Sequence, residues 1–182
     1  MTSLPFDWIR AEARSTVLFW LTVLVVAASA WIFSMDRSLV TEAAPNGIVS
    51  FELAQSVERS EAILASWPDA ARSVAMLIQG VDYLYLFLYP AWFALAAQLL
   101  SAVHSGILQQ ASAATAWLIL LAVPLDAVEN YALIQQLLHG ASASMAGLAF
   151  WCAVPKFVLV VGAAMQVLLA TGFWLAKRNS AS

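Results

Sequence analysis

LAVPLDAVENY, residues 121–131, lies inside an apolar run from Ala113 to Leu137, yet it brings Asp126, Glu129 and Asn130 together within a turn and a half. The run exceeds the ~20 residues that cross ~30 Å of hydrocarbon at 1.5 Å per residue. An ionisable residue at the centre of such a span costs ~2.5–3.5 kcal/mol on the insertion scale, so it turns inward and finds a partner. Positions 126, 129, 130 and 133 follow i, i+3, i+4 and i+7 and share one helix face. The stretch therefore reads as a membrane-crossing helix with a polar stripe directed into a bundle.

Three further stretches have the same length and apolarity, at residues 16–35, 72–100 and 146–176. The second and last exceed the minimum, so they tilt or project beyond the lipid. Composition agrees, since the 182 residues are 63% hydrophobic and 10% charged, against roughly 25% charged in an average soluble domain. The predicted fold is all-α, an integral membrane four-helix antiparallel bundle forming a single transmembrane domain over residues 1–182. Arg10 and Arg14 followed by Ala28-Ser29-Ala30 resemble a secretory signal. Trp31-Ile32-Phe33 continue the apolar run past that point, so the segment reads as a retained first span.

Lysine and arginine near the span ends set orientation. Arg10 and Arg14 flank the first span and Lys177 and Arg178 the last, whereas the loop 36–71 is acidic on balance. Both termini are expected in the cytoplasm of a bacterial cell, with the chain in the inner (plasma) membrane and the loop outside. Trp31, Trp67 and Trp151 near the predicted outer ends, and Trp20, Trp117 and Trp174 near the inner ones, suit the interfaces. Within the loop, Ala44-Pro45-Asn46-Gly47 signals a turn, and Ser56 is placed to cap a short amphipathic helix through VERSEAILASW. Val57, Ile63, Leu64 and Trp67 form its apolar stripe, directed to the membrane surface or the bundle mouth.

Four ionisable residues fall inside spans: Asp82, Asp126, Glu129 and Lys156. Counted from the span ends, Asp82, Glu129 and Lys156 lie at one level, roughly 12–15 Å below the outer boundary, with Asp126 one turn deeper. Opposite charges from three helices in one layer describe a single polar cluster. Tyr85 and Tyr89 share the Asp82 face, with Gln79 close by, and Pro124 and Pro155 are placed to loosen their helices beside the cluster. Three carboxylates against one ammonium would leave net negative charge in a dry interior, so a proton, a cation or water must enter. Glu52, in the apolar segment GIVSFELA, either dips toward this cavity or stays an exposed loop residue.

Other chemistry is poorly supplied. The net charge of −3 offers no basic stripe for nucleic acid, and Cys152 alone makes neither a disulfide nor a redox pair. His104 and His139 fall on opposite sides of the predicted membrane, so a histidine zinc centre is not expected, and no metal is assigned. P-loop, GxSxG, HExxH and CxxCH motifs are missing, and no cofactor is specified.

The combination of FELA at 51–54, DYLYLFLY from Asp82, Asp126-Ala-Val-Glu129-Asn130 and Lys156-Phe157 resembles an uncharacterised family of small bacterial four-span integral membrane proteins. The resemblance covers most of the chain from the first loop onward and carries no known activity. It implies that Glu52, Asp82, Asp126, Glu129, Asn130 and Lys156 are the positions that matter.

Three functional classes follow. One is a polar pocket in the outer half of the bilayer that binds or acts on a small amphipathic or lipid-derived molecule. In it Asp82, Glu129 and Lys156 are the catalytic candidates, Lys156 serving as anchor for an anionic group or as counter-ion. Tyr85, Tyr89, Asp126, Asn130 and Glu52 line the ligand site. The second is a proton- or cation-coupled carrier, which with four helices would need a homo-oligomer. The third is an accessory subunit whose buried charges serve as interhelical glue.

Overall fold

A computed structural model describes residues 3–180, and among them there are helices and turns but no strand. Four helical stretches are long and apolar enough to cross a membrane. The first is α1 (Ala11–Asp36), continued by a 3₁₀ turn at Arg37–Leu39. The loop after it carries α2 (Ile48–Glu52) and α3 (Val57–Ser66). The second stretch is α4 (Asp69–Val103), the third comprises α5 (Gly106–Leu118) and α6 (Ala122–His139), and the fourth is α7 (Ala143–Asn179).

These helices outrun the apolar limits expected from sequence. α4 and α7 have 35 and 37 residues, which at 1.5 Å per residue is about 50 Å, well beyond ~30 Å of hydrocarbon. Good helix formers such as Glu12, Lys177 and Arg178 lie just past the apolar runs and extend the backbone hydrogen bonding. The connection expected over residues 101–112 shrinks for the same reason. Ser105 is extended and Gly106 has a φ of 64°, so the chain turns within two residues and α5 takes up Gln109, Gln110 and Ser112.

Pro124 shapes the third stretch. It has no N–H to give the Leu120 carbonyl and its ring crowds that turn, and the chain tightens into 3₁₀ geometry at Ile119–Leu121 between α5 and α6. Pro155 lies inside α7, which stays helical throughout.

Two compact units share these helices. One comprises Val26–Phe87 with Pro124–Lys156, and it contains the whole loop. Its core joins Leu39, Phe51, Ile63 and Trp67 from the loop region to Ala75 and Ile78 of α4, Leu133 of α6 and Ala149 of α7. The loop is thus a folded cap on these helix ends. Ser56 accepts a hydrogen bond from Arg59 N at 3.3 Å and starts α3. Of the predicted stripe Ile63, Leu64 and Trp67 are buried, whereas Val57 in the first turn is only half-buried and Ser60 takes a buried place on that face. Trp67 packs edge-on against Phe51, at 5.4 Å and 71°, and donates its indole N–H to Leu39 O at 2.8 Å. Arg72 closes the other end of α3, donating to Leu64 O at 2.6 Å and to Trp67 O at 3.1 Å.

The second unit holds the described residues before Val26 together with Leu88–Val123 and the chain from Phe157. Its helices are joined by polar contacts. Buried Gln98 accepts from Phe6 N and donates to Asp7, both at 2.9 Å. Trp92 donates to Thr22 at 2.7 Å, Gln166 to Ser112 at 2.6 Å, and His104 to Ala170 O at 2.9 Å.

Candidate functional site

The first unit brings Glu52, Asp126, Glu129 and Lys156 into direct contact. Lys156 Nζ lies 2.8 Å from the Glu129 carboxylate, 3.1 Å from Asp126 Oδ1 and 3.7 Å from Glu52 Oε2. All four residues are buried, with 6% of Lys156, 1% of Asp126 and 0% of Glu129 exposed. Helix spacing explains how one ammonium reaches two turns of α6. Asp126 and Glu129 are three residues apart on one face, and the four-carbon lysine stem from α7 bridges the step.

The stripe on α6 then divides. Asn130, one residue from Glu129, turns toward α4 and donates its amide to Asp82 Oδ2 at 2.6 Å. Tyr83, the neighbour of Asp82, donates its hydroxyl to Ala127 O at 3.1 Å and pins α4 to α6 at the same level. Asp82 is therefore a carboxylate with a fixed orientation.

Glu52 enters from the cap. It is the last residue of α2, which begins where Asp36 at the end of α1 accepts Ile48 N at 2.7 Å. Phe51 beside it is sealed in the core by Trp67. The cap therefore places Glu52 against Lys156. Burial raises the carboxyl of Glu52 above the ordinary range, an effect the lysine opposes. Glu52 Oε2 and Glu129 Oε2 both lie against the Lys156 ammonium, at 3.7 and 2.8 Å, and a carboxyl donates to another only when it carries a proton. Three carboxyls around one ammonium leave two negative charges in excess if all are ionised, which burial disfavours strongly.

Tyr85 shares a 2.8 Å hydrogen bond with Ser29 of α1, and Tyr89 is buried in the second unit. Three residues around the first unit's core were not singled out as a group by sequence. Ser60, Gln79 and Gln136 are 0%, 1% and 1% exposed, yet Ser60 Oγ, Gln79 Oε1 and both amide atoms of Gln136 have no hydrogen-bond partner. The signal for Gln136 was present, since it follows Glu129 by seven residues on one face. Among the described residues no group of three or more His, Cys, Asp or Glu is arranged to hold a metal ion.

Compared with known proteins, the chain matches no family model, no curated protein and no solved structure. Its class rests on its own features: an all-helical chain with four helices fit to cross a bilayer and a buried cluster of carboxyls around one lysine.

Proposed function

We propose that this is a multi-pass protein of the bacterial inner membrane, an antiparallel four-helix bundle with both termini cytoplasmic. Its capped polar cluster forms a pocket in the outer half of the bilayer that binds or acts on a small amphipathic or lipid-derived molecule. Kinship with small bacterial four-span membrane proteins belongs to the same proposal, on the motifs that contain Glu52, Asp82, Asp126 to Asn130 and Lys156.

The observation that carries the reading is the contact of buried Lys156 with three carboxyls, one delivered by the cap. Interhelical hydrogen bonds in membranes average only about 0.6 kcal/mol, too little to offset several buried ionisable groups. Lysine has three N–H donors and meets three carboxyls here, which favours the counter-ion role over that of an anchor for an anionic group. The ligand class is then neutral or basic, with no phosphate head. In this reading Glu129, sharing a proton with Glu52, is the acid, and Asp82, aimed by Asn130, is the base. The surplus of carboxyls also favours a second reading, a proton-coupled carrier working as a homo-oligomer; proton uptake into vesicles that depends on Glu129 would select it.

Thermal unfolding in mild detergent tests the premise. Asp82→Asn and Glu129→Gln remove charge at nearly constant shape, and the Tm of both is expected to hold or rise, as where charge is kept at a cost to folding. Lys156→Met strands the carboxyls and should lower Tm by about 10 °C, much of it regained in acid. A fall of that size in all three at every pH would make the cluster structural glue and support the accessory-subunit reading.

A further inference from the structure

We propose that the first unit carries a proton path, a short file of internal water running from beneath α3 through Gln136 and Gln79 to the carboxyls of the cluster. The inference rests on the acid–base reading above and adds the route by which its proton is exchanged. Besides carboxyl oxygens of Glu52 and Glu129, three buried side chains described in the first unit have polar atoms without a hydrogen-bond partner: Ser60, Gln79 and Gln136. An unmet buried polar atom costs ~1–3 kcal/mol, and an internal water bonded to two to four such groups removes most of that cost.

Their positions form a sequence of steps. Ser60 lies on the buried face of α3 while its neighbours Arg59 and Glu61 are exposed, so it is one residue beneath the aqueous surface. Ile63 and Leu64, a turn further along that face, pack in one core with Leu133 of α6 and Ile78 of α4. Gln79 follows Ile78 directly, and Gln136 lies three residues, about one turn, beyond Leu133. Gln136 stands seven residues from Glu129 on one face, about 10 Å along the helix, a distance that about three hydrogen-bonded waters cover. Gln79 stands one turn from Asp82. Each amide donates and accepts hydrogen bonds, so each can hold and orient the waters beside it while keeping its own hydrogens, and the proton moves from water to water along the file. Only O–H bonds are made and broken, and the proton comes from bulk water.

Infrared spectroscopy of the full-length protein in detergent tests the path. The protonated carboxyl of the Glu52 and Glu129 pair gives a carboxylic C=O band that shifts on transfer to D₂O and is removed by Glu52→Gln together with Glu129→Gln. Gln136→Leu should keep that band, slow its D₂O shift about tenfold, and leave Tm nearly unchanged, because an amide with no bond to the protein is replaced by an apolar group of similar size. Ser60→Ala and Gln79→Leu are the companion variants, and slowing in either together with Gln136→Leu supports the path. An unchanged shift rate in all three variants, with the band intact, overturns the path and leaves the acid–base reading standing. Loss of Tm by about 10 °C in Gln136→Leu also overturns it, since the amide would then be bonded within the protein. Absence of any such band in the wild type removes the acid–base reading itself.

Discussion

Glu52 is the residue whose environment departs furthest from its place in the chain. It belongs to the connection between α1 and α4, yet only 9% of it is exposed and it faces Lys156 at 3.7 Å. Burial raises its carboxyl in the native state above 4.5. A carboxyl so raised binds its proton more tightly when folded, so its stabilising contribution is full below pH 4.5 and is lost as pH rises through the raised native value. The wild-type Tm should therefore decline with pH above that point, and Glu52→Gln should flatten the decline. Melting curves across a pH series measure this, and parallel profiles for the two proteins would show that Glu52 is not the group responsible. Sequence alone left open whether Glu52 is a cluster member or an exposed loop residue, because its apolar neighbours Phe51 and Leu53 suit either placement. The difference is made by contacts far along the chain, Phe51 against Trp67 above all.

At the scale of elements, the cap depends on how the chain leaves α1. Asp36 accepts Ile48 N, and Gly47 stands at φ 54° with its Cα against that carboxylate, where a β-carbon would collide. Only glycine meets both conditions without strain. Gly47→Ala is expected to lower Tm by about 5 °C and to speed proteolysis within residues 37–71, with the far-ultraviolet signal of the long helices retained. Unaltered cleavage would mean that the cap is held without this turn. The turn at Ala44–Gly47 and the start of α3 at Ser56 were both legible, since each is a local signal of backbone conformation and side-chain capping. The short helix α2 was not. Five residues are too few for a period to register, and α2 exists because Asp36 and the core around Phe51 hold it.

Over the whole molecule, charge bias and span count predict that the termini share one side and the cap faces the other. With Cys152→Ser as background, a membrane-impermeant maleimide should label Glu61→Cys in intact spheroplasts and Lys177→Cys only after lysis. Equal labelling of both before lysis would contradict the four-span arrangement.

The sequence by itself determined that the chain is helical, that four helices suit a bilayer, and that Asp82, Asp126, Glu129 and Lys156 occupy apolar spans. Those properties follow from composition and from run length, which local windows of the chain display, and on α6 from the helical spacing of its polar residues. It also marked the polar face of α6. Tertiary structure decided which partner each polar group meets: Glu129 and Asp126 go to Lys156, Asn130 to Asp82, and Glu52 joins them from the cap. Periodicity states which way a side chain points on its own helix. What it meets there depends on contacts between residues 27 to 48 positions apart within α4, α6 and α7, and on a cap whose fold is set by long-range burial that no local pattern encodes.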